Sequence, residues 1–259
     1  MVETRARGHA ATLAAEAARA GVSLVVAVGG DGTLNEVVNG LAPLRAEFPV
    51  TVGALMTGRG RDAARNLGLA RDPRRAARRL ADGHVVALDL GLARWPGGHR
   101  YFLGWAGTGF DAVVAERAGT RGGRLVYPRA VLSSLRDYRP AEMTVRLDGA
   151  DAWTGPAASV VVCNGACFGG GMRIAPGARP DDGLLDVVRL GALGRLELAR
   201  WLPTVYWGGH LANPRITIRR AARVRVDAVE PVPVQFDGEL GAHTPLDIEI
   251  HPGALKLLV

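Results

Sequence analysis

The sequence predicts an N-terminal α/β domain followed by a β-rich C-terminal domain, and three observations predict it. First, residues 24–40, LVVAVGGDGTLNEVVNG, run from an apolar Val-rich stretch through a glycine turn into a segment with helical spacing. Second, from residue 143 onward short strand patterns follow one another closely, and alternations such as ARVRVDA (222–228) and DIEI (247–250) suit antiparallel strands with one wet face. Third, 259 residues with 48% hydrophobic and 22% charged side chains can bury a sizeable core and are not disordered.

The elements follow in order. Residues 1–20 carry Thr4 and Gly8-His9 and then an Ala-rich helix that stops before Gly21. Leu24–Val28 predicts a buried parallel strand, and Leu34, Val37, Val38 and Leu41 lie on one face of the helix behind it. Gly29, Gly30 and Gly32 between them bring backbone amides and a helix N-terminus to one spot, which favours an anion such as phosphate. Thr33 can cap this helix or bond a phosphate oxygen, and Glu36 would complete a capping box. Asp31 would repel a phosphate unless a cation lay between them, which points to Mg²⁺; a turn carboxylate bonded to its own backbone is the plainer alternative.

Val50–Met56 predicts the next strand, residues 57–62 (TGRGRD) a second glycine turn, and Asp62–Gly68 a short helix capped by Asp62. Pro73–Asp82 is a helix whose Arg74, Arg75, Arg78 and Arg79 form a solvated face. A strand over 85–90, a strand and turn over 101–109 and helices over 110–118 and 125–138 come next, the aromatics Tyr127 and Tyr138 serving core packing. Strands are expected at 143–147, 159–163, 185–190, 216–218, 224–227, 232–236 and 246–250, with an amphipathic helix over 194–208 that packs Trp201 and Trp207. The uncharged run 152–172 is long enough to span a membrane, but its glycines and Pro156 favour strand plus turn.

Charge narrows the function. A formal net charge of +7 favours acidic partners, either nucleotides or an anionic membrane surface. Lys256 is the only lysine among 32 basic residues, so no lysine lies near a glycine loop, and P-loop and protein-kinase mechanisms are excluded. Cys163 and Cys167 lack further ligands at zinc spacing and suit reduced thiols in a cytosolic protein.

The string GGDGTLNEVVNG resembles the signature of the diacylglycerol kinase catalytic-domain family, shared with bacterial lipid kinases and sphingosine kinases. Further segments match that family in order. Thr4 with Gly8-His9 matches its Thr-x-x-x-Gly-His-Ala, where the threonine lies near ATP. In residues 57–68, Gly58, Asp62, Ala64 and Arg65 match, while Arg59 and Arg61 replace Thr and Asn. DDGLLD (181–186) and Asp237-Gly238-Glu239 also match. The family carries an earlier strand and an Asn-Pro-x-x-Gly loop that no segment before Thr4 supplies. The expectation is a start assigned too late or the loss of that element.

The resemblance implies a fold like NAD kinase: a three-layer α/β nucleotide-binding domain over residues 1–92 and a β-sandwich domain over 93–259, its last strand returning to the first domain. It implies an ATP- and Mg²⁺-dependent lipid kinase phosphorylating diacylglycerol or a related alcohol, cytoplasmic and peripheral to the inner face of the membrane. No nucleic-acid partner is expected, and homodimerisation is left open. Glu239 is implied as base, with Asp237 as orienter or co-base, and Asp31 at the catalytic metal. Thr4, Gly29, Gly30, Asp31, Gly32, Thr33, Asn35, Glu36, Gly58, Arg59 and Asp62 would contact the nucleotide. A structural Mg²⁺ would be held by the Asp182 side chain and the carbonyls of Arg179 and Leu184. Two alternatives stand beside this reading: a soluble NAD-kinase-like enzyme, and a nucleotide- or lipid-binding protein without catalysis.

Overall fold

The computed structural model describes residues 1–58, 62–70, 72–119 and 126–259, with backbone alone at 73 and 126–128. The first unit comprises α1 (His9–Arg19), β1 (Leu24–Gly29), α2 (Asp31–Leu41), β2 (Thr51–Met56), α3 (Asp62–Asn66) and α4 (Pro73–Asp82). Next come β3 (Val85–Trp95), β4 (Gly98–Phe102), β5 (Trp105–Gly109), α5 (Phe110–Ala118) and α6 (Val126–Asp137). The remainder is β6 (Ala141–Leu147), β7 (Ala150–Cys163), β8 (Leu185–Gly191), α7 (Arg195–Trp201), β9 (Ile216–Ala221), β10 (Arg223–Ala228), β11 (Pro233–Phe236), β12 (Glu239–His243) and β13 (Leu246–Leu258).

Hydrogen bonding runs continuously from one unit into the other, in the order β1-β2-β13-β10-β6-β7-β5-β11-β12. β1 and β2 are parallel, as a strand–helix–strand crossover requires. The C-terminal end of β13 lies parallel to β2, pairing Lys256 with Thr51, and antiparallel to the start of β3, pairing Leu258 with Val85. The closing strand thus returns to the first unit. Among the described residues three apolar cores result. One joins α1 and α2 to β2, β3 and the end of β13. A second fills the β-rich unit around Phe102 and Phe236. A third lies between β5, β7 and β8 and the helices α5, α6 and α7.

Several expectations need correction. β1 is not buried on both faces: Leu24, Val26 and Val28 are exposed while Ala27 is buried. Among the described residues β1 pairs only with β2, and the packing of α2 covers one face. β3 runs unbroken through residues 92 and 93 and carries the chain from the first unit toward the second. β4 and β12 carry no apolar alternation and were not anticipated. The segment 194–208 is α7 followed by a 3₁₀ turn, and Trp207 is exposed instead of packed. No helix among the described residues is long and apolar enough to cross a membrane.

Candidate active site

The glycine turn takes the expected form. β1 ends at Gly29, and Gly30 is the N-cap of α2 without any side-chain cap. The first amides of α2 therefore keep their capacity for an anion. The second glycine loop packs directly on this turn: a Cβ at Gly58 would stand 2.7 Å from the Gly30 Cα, so only glycine fits there. Thr57 donates its amide to the Gly29 carbonyl at 2.8 Å.

The capping box is a correction. α2 begins at Asp31, so Thr33 lies inside the helix. Glu36 instead accepts the amides of Gly8 (2.8 Å) and Ala10 (3.2 Å) and so caps α1. Gly8, in the left-handed region, is the N-cap of α1; Thr4 lies in the exposed coil before it. Asn35 is buried among protein partners. Its amide donates to Asp237 Oδ2 at 2.8 Å, and its Oδ1 accepts from Arg100 at 2.7 Å. Asn35 and Glu36 thus organise the site from behind. Arg59 and Arg61 lie outside the described residues.

Asp31 and Asp62 stand together at the mouth of α3. Asp31 Oδ1 accepts the Ala63 amide at 3.0 Å, capping α3 from a neighbouring element. Asp62 accepts from Arg65 and from the Gly170 amide, both at 2.8 Å. Burial pushes the Asp62 carboxyl above its ordinary range and the Asp31 charge adds to this, while the Gly170 amide and Arg65 act against it. The two neighbouring carboxylates form a donor set that suits a hard divalent cation completed by phosphate oxygens.

Asp237 and Gly238 form the turn between β11 and β12, with φ of 48° and 88°. The Asp237 carboxylate is buried. It accepts from the amides of Leu103 (2.8 Å), Gly104 (2.8 Å) and Trp105 (3.1 Å) as well as from Asn35. Desolvation pushes its pKa up and these donors oppose it. Glu239 accepts from Arg100 at 2.5 Å and from Arg7 at 3.1 Å. Burial alone would raise its pKa, but the two guanidinium groups hold it below the usual glutamate range. A Cβ at Gly32 would stand 3.3 Å from Glu239 Oε1, so the glycine turn and the acidic turn touch. Asp31, Asp62, Gly104, Trp105, Gln235 and Asp237 line one cavity of about 140 Å³ between them.

At the turn 179–184, where the structural ion was expected, the side chains bond one another. Asp182 Oδ1 accepts the Leu184 amide at 3.2 Å, and Oδ2 is bonded by the Arg220 guanidinium. Arg179 pairs with Asp181 through its side chain. Among the described residues no three His, Cys, Asp or Glu side chains converge as a metal site. Asp89 does the bracing there, accepting the amides of Gly183 (2.7 Å) and Gly253 (2.8 Å).

Sequence reasoning missed Arg7, Arg100, Gln235 and Asn66. Asn66 bridges α3 to the second unit by donating to the Cys167 carbonyl at 2.8 Å and accepting its amide at 2.9 Å. None carries a local signal; each is recognisable only through its partner in another element.

An α/β unit whose Asp31 and Asp62 line one cavity with the acidic hairpin of a β-rich unit is the arrangement that a resemblance to the NAD-kinase-like fold implies. Comparison with known proteins carries this further. Residues 1–93 match the diacylglycerol kinase catalytic domain, and residues 104–259 match the YegS C-terminal NAD kinase beta sandwich-like domain. A Mycobacterium tuberculosis diacylglycerol kinase is 32% identical over 251 residues, which cover 95% of this chain and 80% of that protein. The Bacillus subtilis diacylglycerol kinase is 32% identical over 247 residues, 93% and 79% of the two chains. A solved Bacillus anthracis structure, assigned to the diacylglycerol kinases, superposes with a TM-score of 0.79 at 28% identity, covering 99% of this chain and 84% of that one. The chain belongs to the diacylglycerol kinase family, and it is a lipid kinase.

Proposed function

We propose that the protein transfers the γ-phosphate of ATP, with Mg²⁺, to the hydroxyl of diacylglycerol or a related lipid alcohol at the cytoplasmic face of the membrane. The observation that carries this reading is the contact between Gly32 and Glu239 beside a cavity lined by both Asp31 and Asp237. The nucleotide phosphates bind the Gly30 and Gly32 amides at the N-terminus of α2. Glu239 takes the proton of the lipid hydroxyl as that oxygen bonds to the γ-phosphorus, the β–γ bridging bond breaks and ADP leaves. Asp237 positions this base: its carboxylate is saturated by four N–H donors and fixes the turn. Asp31 and Asp62 would hold Mg²⁺, which supplies charge neutralisation on the phosphate oxygens.

The test is phosphorylation of mixed lipids by purified protein with labelled ATP. Lipid phosphate is expected from the wild type, with turnover reduced by roughly 10²-fold or more in Asp31→Ala and Glu239→Gln. Absence of lipid phosphate, or undiminished turnover in both variants, would sink the proposal. Preference for a water-soluble acceptor would replace it with the NAD-kinase-like reading.

A further inference from the structure

Glu239, the candidate base, is neutralised by two guanidinium groups from separate elements. Arg100, on β4, donates to Oε2 at 2.5 Å. Arg7, on the exposed segment before α1, reaches the same oxygen at 3.1 Å. A carboxylate gripped this way is a poor proton acceptor. Arg100 also carries an unfilled donor: its Nε is buried and has no hydrogen-bond partner among the described residues. Both guanidinium groups end beside the carboxylate that touches Gly32, where the amides of the glycine turn favour an anion.

We propose that Arg100 and Arg7 form a clamp for the terminal phosphate of the nucleotide, and that without nucleotide the same clamp holds Glu239. A triphosphate seated on the glycine turn brings a higher charge than one carboxylate and offers several acceptor oxygens to a guanidinium fork. The arginines then turn to the phosphate, and Glu239 regains its basicity only when the group to be transferred is present. The base is thereby kept from acting on water or on lipid alone. This inference rests on the reading of Glu239 as base and of the turn as the nucleotide seat. Arg100 and Arg7 would be catalytic residues through contact with the transferred phosphate.

The experiment measures binding of Mg·ATP and Mg·ADP to the full chain by titration calorimetry, without lipid. Arg7→Gln should weaken ATP by roughly tenfold and leave ADP within about twofold; Arg100→Gln should do the same by roughly ten- to hundredfold, with partial recovery in Arg100→Lys. Arg7 makes this one ion pair among the described residues. Its variant keeps the test available if Arg100→Gln, which also loses Asn35, fails to fold. Glu239→Gln should tighten ATP and not ADP, because it removes the competitor for the clamp, and the gain should vanish when combined with Arg7→Gln. In turnover, the acid limb of kcat/KM for ATP should lie at lower pH than that of kcat, and Arg7→Gln should close the gap. Equal weakening of ATP and ADP in Arg7→Gln, or unchanged ATP affinity in Glu239→Gln, would overturn the clamp. Undiminished turnover in Glu239→Gln would instead overturn the base reading, with the ATP-over-ADP comparison still deciding the clamp.

Discussion

Arg220 on β9 holds Asp182 in the turn before β8, at the place where the family resemblance implies a structural cation. The same guanidinium lies 3.8 Å from Asp186, whose Oδ2 is buried without a hydrogen bond among the described residues. Burial raises the Asp186 pKa, Arg220 opposes this and Asp182 adds to it. One arginine thus serves two carboxylates.

Stability at this turn should therefore not depend on Mg²⁺. Arg220→Gln removes the cation beside Asp186 and should cost roughly 1–3 kcal/mol in denaturant unfolding. Mg²⁺ added without nucleotide should change the melting temperature equally in wild type and Asp182→Asn. A Mg²⁺-induced rise present in the wild type and lost in Asp182→Asn would show that an ion binds there after all.

Asp237 and Glu239 should separate in their effects. Asp237→Asn tolerates the left-handed backbone but turns an amide NH₂ toward donors that need an acceptor. It should lose about 3 kcal/mol or more of stability together with activity. Glu239→Gln, at a partly exposed ion pair, should lose activity with a change in unfolding free energy of about 1 kcal/mol or less. Chemical denaturation of both variants decides the point: equal losses would contradict it.

Asp111 gives a pH dependence. Its carboxylate is held on α5 by accepting from Ser159 Oγ at 2.8 Å and from Gln235 Nε2 at 3.0 Å. Desolvation pushes its pKa above the usual aspartate range against those donors. The folded state then binds the proton more tightly than the unfolded chain. Its contribution is complete below the ordinary aspartate pKa of about 4 and is lost as pH rises through the raised folded value. Asp111→Asn removes this loss, so its stability relative to wild type should improve from pH 4 upward. Melting curves at several pH values check this; a difference that stays constant with pH would refute it.

Much of this was legible in the residues. The strand–turn–helix at 24–41 declares itself through glycine and a switch from continuous to helical apolar spacing. The acidic turn at 237–239 announces itself by its residue types. What stayed hidden depends on partners distant in the chain. Glu36 looks like the end of a capping box, and only the position of α1 shows which helix it caps. Asp182 shows its arginine partner only when β9 brings Arg220 to it. Arg7 and Arg100 are two among many arginines, and 232 and 139 positions separate them from the glutamate they hold. β4 and β12 are short strands whose pairing, not composition, defines them.

The insertion of residues 255–258 between β2 and β3 has a consequence for biosynthesis. The sheet of the first unit cannot close until residues 255–258 have been translated and have cleared the ribosome. The N-terminal half must wait in an incomplete state, with strand edges open, while the entire β-rich half is made. Maturation of the glycine turn is thus timed by residues more than two hundred positions downstream, and a nascent chain stalled just short of Leu255 would carry the whole turn yet lack the strand that locks its sheet in register.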